Sequence, residues 1–169
     1  LITFSMLFAT LCMGYMVLRF RSPVWPPMGM TKIGLMIPSV STILILLSSL
    51  TYYRFESLLK TGGEAKFFYI TTLLLGGAFS ASQYLLWSEL TKMGIEPGSG
   101  VFGSMLYGFT WIHAAHILAG LILLLFLPKM LNKFEPCGIE RKLRVKSVGL
   151  FWHFLGVVWG VLYLMLFVF

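Results

Sequence analysis

The 169-residue sequence contains no aspartate, and only 11% of its residues carry a formal charge. A soluble domain devotes about a quarter of its residues to charge, so a water-exposed globular surface is excluded at the outset. No paired carboxylates, nucleophile–base pair or phosphate-cradling glycine loop appears, which leaves hydrolytic and nucleotide-dependent chemistry without a carrier. The two cysteines, Cys12 and Cys137, form no CxxC or metal-ligand pattern and read as unrelated thiols, not a disulfide. No secretory leader is recognisable, and because the chain opens on Leu nothing upstream of it is judged. The net charge of +7 has no basic face interleaved with exposed aromatics, so a nucleic-acid partner is not expected.

What the chain has instead is apolar length. Hydrophobic residues make up 58% of it, and the mean hydropathy is +0.87. Five apolar spans are read, at about residues 1–18, 34–53, 67–90, 101–127 and 147–169. Each is long enough, or nearly so, to cross about 30 Å of hydrocarbon as a helix. The expected fold is therefore all-α: a single transmembrane domain over residues 1–169, a bundle of five membrane helices. Pro23, Pro26 and Pro27 break the first connection, where Trp25 suits the interface. Pro38 is tolerable in the first turn of the second span. Arg54 to Lys66 reads as a charged turn, and Pro128 to Lys146 as the most basic loop. Nine Lys and Arg residues fall after spans two and four, and four fall on the opposite side. The positive-inside rule then puts the N-terminus inside and the C-terminus outside.

The fourth span is the one to explain. It runs 27 residues without a charge, carries His113 and His116 near its middle, and is dotted with small residues. At 100° per residue, His113, His116 and Gly120 share a sector about 60° wide. On the fifth span Gly149, His153, Gly156 and Gly160 do the same. On the third, Gly76, Ser80, Gln83 and Trp87 align. Small residues allow close approach, and polar groups in hydrocarbon need partners. One arrangement turns these faces together, with Gln83, His113, His116 and His153 sharing hydrogen bonds and Gly120, Gly149, Gly156 and Gly160 serving helix packing. A second lets His113 or His116 join His153 as axial ligands of a b-type haem in an electron-carrying membrane protein. Helical zinc or di-metal sites want carboxylates that the bilayer part lacks.

Glu89 lies at the interface, in a solvated or capping role. Trp152 and Trp159, seven residues apart, are expected to pack against neighbours or lipid. Arg141, Lys142, Arg144 and Lys146 suit anionic lipid headgroups. An independent proton transporter would ordinarily show intramembrane acids.

Four stretches carry a family resemblance: R-F-R-S-P-V-W-P-P at 19–27, Q-Y-L-L-W-S-E-L at 83–90, S-G-V-F-G-S-M-L-Y-G-F-T-W-I-H-A-A-H-I-L-A-G at 99–120, and F-W-H-F-L-G-V-V-W at 151–159. In these the sequence resembles subunit III of the haem–copper terminal oxidases, of the cytochrome c oxidase and quinol oxidase type. The five spans match the last five of that family's seven-helix form. The resemblance implies a non-redox core subunit of a proton-pumping oxidase of an aerobic respiratory chain. Such a subunit packs on the catalytic subunit I, alongside subunit II, holds phospholipid and sustains turnover. It has no catalytic centre or cofactor of its own, haem and copper belonging to partner subunits. A respiratory supercomplex is a further association the resemblance allows. The family's paired histidines map onto His113 and His116, and its Trp–His pair onto Trp152 and His153, none of them a haem ligand. Four family acids are replaced, by Phe4 or Ser5, Leu86, Lys146 and Gly156, so proton storage through those carboxylates is not expected here. The short five-helix form favours a bacterial inner membrane over a mitochondrial one.

Overall fold

A computed structural model describes residues 2–22, 34–61, 65–131 and 138–168. Five helices succeed one another: α1 (Ile2–Arg21), α2 (Met36–Thr61), α3 (Lys66–Lys92), α4 (Val101–Leu131) and α5 (Ile139–Tyr163), the last running into a π-helical turn at Leu164–Val168. Among the described residues there is no strand. The expectations for Pro23, Trp25, Pro26, Pro27 and Cys137 lie outside the described residues.

Two helix boundaries differ from those expected of the sequence by eight residues, and α4 also runs through Pro128 to Leu131, four residues past its expected end. The second helix does not stop at Tyr53 but continues to Thr61, so Arg54 and Glu56 are helical. No breaker precedes Gly62, and Phe55, Leu58 and Leu59 in that stretch pack on the core. The fifth helix starts at Ile139, eight residues before the expected span. Arg141, Lys142, Arg144 and Lys146 thus sit on its first two turns, not in a loop. In both places charge marks a change of surroundings, whereas the helix ends where its backbone does.

Residue pairs set the topology. Ser41 meets Ser82, and Thr51 meets Thr72, so α2 and α3 are antiparallel. Trp87 bonds Thr110 and Thr91 meets Tyr107, making α3 and α4 antiparallel too. Ser39 with Tyr163, and Tyr52 with Val145, do the same for α2 and α5. The α1 rings of Phe8 and Tyr15 lie against His113 and Phe109 of α4 in the same sense. The chain is an up-and-down bundle with α2 and α4 opposed to α1, α3 and α5.

The turn between α3 and α4 is built tightly. Gly94 takes φ +75°; the Ile95 N–H reaches the Leu90 carbonyl and the Gly94 N–H that of Thr91. Ile95 and Leu90 are both buried. This is the Schellman ending, and it needs a residue at ease with positive φ. Serine hydroxyls secure the entry into α4: Ser99 bonds the Glu96 carbonyl and Ser104 that of Pro97.

Large apolar side chains cover the outside, Ile43, Leu46, Leu74, Leu118 and Leu125 among them. That is the surface of a protein solvated by lipid. Among the described residues four helical segments are long and apolar enough to cross a membrane: Ile2–Arg21, Met36–Leu59, Val101–Lys129 and Ile139–Val168. α3 is as long but more polar, with Thr71, Thr72, Ser80, Ser82 and Gln83 in its body. Its hydroxyls are turned inward on its own backbone, each bonding a carbonyl three or four residues back.

Candidate functional site

The polar chemistry of the interior is concentrated along α2. Its serines and threonines, evenly spread from Ser39 to Thr51, form a ladder toward α3 and α5. Ser39 meets the Tyr163 hydroxyl at 2.9 Å, and Ser41 meets Ser82 at 2.7 Å. Trp159 donates its indole N–H to Thr42, and Trp152 donates to Ser48, each at 3.1 Å. Ser48 in turn donates to the Thr72 carbonyl at 3.0 Å. Ser49 bonds Nδ1 of His153, and Tyr52 closes the row by donating to the Val145 carbonyl at 2.7 Å. Trp152 and Trp159 are thus pinned to a neighbouring helix, with both side chains sealed from the surface. The sequence displays the hydroxyls but not their partners; the seven-residue Trp spacing opposite a hydroxyl-rich helix was the available signal.

Trp152 is where four helices meet. A Cβ on Gly76 of α3 would stand 2.9 Å from its ring, and one on Gly120 of α4 would stand 3.0 Å from it. The indole lies in the slot these two glycines leave, and its N–H is held by α2. Gly149 gives the same room to the ring of Tyr52. Gly156 has only ordinary contact, with Ile45 at 3.8 Å, and none of the described residues lies within 4 Å of a Cβ on Gly160. Gly76, Gly120 and Gly149 thus receive aromatic rings.

The three histidines are dispersed in role. His113 is fully buried, its ring stacked on Trp159 at 5.5 Å and 27°, with Phe79 and Phe8 edge-on at 6.0 and 6.2 Å. His116 is half-buried, its Nδ1 donating to the Ile112 carbonyl of its own helix at 2.7 Å. Phe4, one of the two residues standing where the resemblance places a membrane glutamate, packs edge-on to it at 4.8 Å. His153 is half-buried against Ser49 and the Tyr52 ring. Gln83 is buried, and neither it nor His113 has a side-chain hydrogen bond within the described residues. Among the described residues no direct hydrogen bond joins any two of Gln83, His113, His116 and His153.

The packing around the buried imidazole does not fit a bis-imidazole haem. The space beside His113, where a macrocycle would lie, is filled by Trp159, Phe79 and Phe8. Among the described residues no three His, Cys, Asp or Glu side chains are grouped to hold a metal.

Charged groups sit at the margins. Glu89 is exposed near the end of α3, on the side of the bundle where the chain turns toward α4. Glu56, expected in a turn, lies half-buried on α2 within the apolar segment Met36–Leu59, near enough to Tyr52 and His153 to act on both electrostatically. Lys142, Arg144 and Lys146 are exposed and Arg141 half-buried. Arg144, with Glu140 and Ser147, rims an open groove of about 490 Å³ floored by Leu123, Leu143, Val148 and Phe151.

An all-helical bundle with an apolar exterior, whose polar interior is spent largely on joining its own helices, is a polytopic membrane protein built for packing. The chain belongs to the cytochrome c oxidase subunit III family, whose family model matches residues 2–169. Cytochrome c oxidase subunit 3 of Synechocystis sp. is 30% identical over 172 aligned residues, covering 99% of this chain and 71% of that one. The same-named protein of Thermostichus vulcanus is 26% identical over 171 residues, covering 99% and 83%. Cytochrome bo(3) ubiquinol oxidase subunit 3 of Pseudomonas putida is 32% identical over 163 residues, covering 94% and 77%.

Proposed function

We propose that the chain is the non-redox core subunit III of a proton-pumping haem–copper terminal oxidase in aerobic respiration. In this role it packs directly on the catalytic subunit I, organises phospholipid and keeps the oxidase turning over. The observation that carries the reading is the family match along residues 2–169. The interior supports it: His113, His116 and His153 are engaged as packing and hydrogen-bonding groups, which suits a chain that leaves electron transfer to its partners.

Five membrane spans, the third being α3, fit the alternating direction of the helices. The excess of Lys and Arg after spans two and four favours an inner N-terminal side and an outer C-terminal side. Exposed Lys142, Arg144 and Lys146 beside an apolar groove suit anionic headgroups with acyl chains alongside. In this reading the membrane is a bacterial inner membrane, as for the relatives named above, although eukaryotic subunits match the chain as well.

The test is co-purification. An affinity tag on this chain, in gently solubilised membranes, is expected to bring down a haem- and copper-containing subunit. Deleting the chain should leave oxygen reduction that starts normally and decays faster over successive turnovers. A Soret band from the isolated chain, or a native particle with no oxygen-reducing partner, overturns the reading. Glu89→Gln in the intact oxidase should leave proton pumping at its wild-type stoichiometry, because an acid at the membrane edge stores no proton for the pump; loss of pumping would count against a structural role.

A further inference from the structure

Four buried side-chain atoms stand without a protein partner among the described residues: the amide nitrogen and oxygen of Gln83, and both ring nitrogens of His113. Both residues are closed off from the surface, Gln83 at 1% exposure and His113 at 0%. Lipid and a neighbouring subunit are therefore out of reach, and hydrocarbon offers no substitute.

Register puts the two in one layer of the bundle. Trp87 of α3 bonds Thr110 of α4, and Thr91 meets Tyr107. One turn back from Trp87 on α3 is Gln83, and three residues on from Thr110 along antiparallel α4 is His113. Phe79, one more turn back on α3, lies edge-on to the His113 ring at 6.0 Å. The α3 face that carries Gln83 is thus the face against the imidazole. Trp159, Phe79 and Phe8 hold that ring by contact alone, and none of those contacts satisfies a nitrogen.

The chemistry of the two groups selects the ligand. A neutral imidazole offers one donor and one acceptor, and a carboxamide offers both as well. Their common partner must donate and accept, carry no charge and be small enough for a closed interior. A cation would want carboxylates at the site and an anion a fixed positive charge, and neither is among the described groups facing it. Buried waters elsewhere commonly bond about three otherwise unsatisfied polar groups. We propose that Gln83 and His113 bind a water molecule inside the bundle, and that this water, not a direct side-chain bond, links α3 to α4 in that layer. It fixes the rotation of both helices, since neither side chain can turn away without stranding the other.

An experimental map of the native particle, at a resolution that shows ordered waters, is expected to show density within hydrogen-bonding distance of both residues. Infrared spectra of that particle should contain a sharp O–H stretch that shifts on exchange into water-18O and is absent from Gln83→Leu. His113→Phe keeps the ring packing and is expected to lose the same band, which covers the case in which Gln83→Leu fails to assemble. Direct bonding of the amide to the imidazole, no density between them, or a band untouched in both variants overturns the inference. The map is of whatever particle carries the chain. A particle lacking an oxidase would sink the proposed function and leave the bound water standing.

Discussion

Pro128 has no backbone N–H, so in the last turns of α4 the carbonyl of Leu124, four residues earlier, loses its helical donor. The Tyr69 hydroxyl of α3 donates to that carbonyl at 2.7 Å, and α4 passes through the proline to Leu131. Tyr69→Phe should therefore lower the stability of the bundle by about 1 kcal/mol, by leaving that carbonyl without its donor. Pro128→Ala restores the backbone donor and should cancel most of the loss in the double variant. Thermal release of the chain from the purified complex, measured for all four members of the cycle, checks this; additive losses would disprove the coupling. Glycines make a second contrast at this scale. Gly120→Ala sets a methyl group 3.0 Å from the Trp152 ring, which is held on its other side by the α3 slot, and should cost about 1–3 kcal/mol by overpacking. Gly160→Ala meets none of the described residues within 4 Å and should be neutral or stabilising by up to about 1 kcal/mol. The same thermal measurement separates them.

At the scale of elements, α2 holds the bundle together through hydroxyls whose donor and acceptor capacity is both used. Ser48 accepts from Trp152 and donates to the Thr72 carbonyl, and it is fully buried. Thr42 accepts from Trp159 but spends its proton on Pro38 of its own helix. Each replacement strands an indole N–H, worth about 1–3 kcal/mol. Ser48→Ala also breaks the bond to α3, so it should destabilise more than Thr42→Val in thermal melts of the complex; the reverse order would mean the ladder is not what joins these helices. Sequence alone made the helices legible because their apolar length is extreme. It did not make their ends legible: Arg54 and Arg141 looked like loop residues, though a charged residue leaving the bilayer can stay helical. The aligned small residues pointed to faces that do pack at Gly76, Gly120 and Gly149, but periodicity cannot say that a Trp or Tyr ring, and not a backbone, fills the gap. Nor could it assign partners to Gln83 and His113, since both depend on the rotation of two helices relative to each other.

For the whole molecule, the open physical question is how a helix as polar as α3 lies in lipid. Its buried face carries Thr72, Gly76, Ser82 and Gln83, whereas Phe67, Leu74 and Leu85 face outward. Average hydropathy counts both faces together, but lipid meets only the outer one, and the inner hydroxyls already have acceptors. At about 1.5 Å per residue its 27 residues reach roughly 40 Å, enough to cross. If α3 crosses, Thr61 at the end of α2 lies inside with the start of α5 at Lys142, and the turn at Ser99 lies outside; α4 alone separates Ser99 from Lys142. Single cysteines at those two positions, in a chain with Cys12 and Cys137 replaced by serine, test this in sealed inner-membrane vesicles of known orientation. In right-side-out vesicles a membrane-impermeant maleimide should label Ser99→Cys and spare Lys142→Cys, and inverted vesicles should reverse the pattern. A further cysteine at Thr61, at the end of α2, should behave like the one at Lys142, because α3 and α4 together return the chain to its starting side. Labelling of Thr61→Cys and Ser99→Cys from one side would mean that α3 does not cross, and the alternation of all later helices would have to be redrawn.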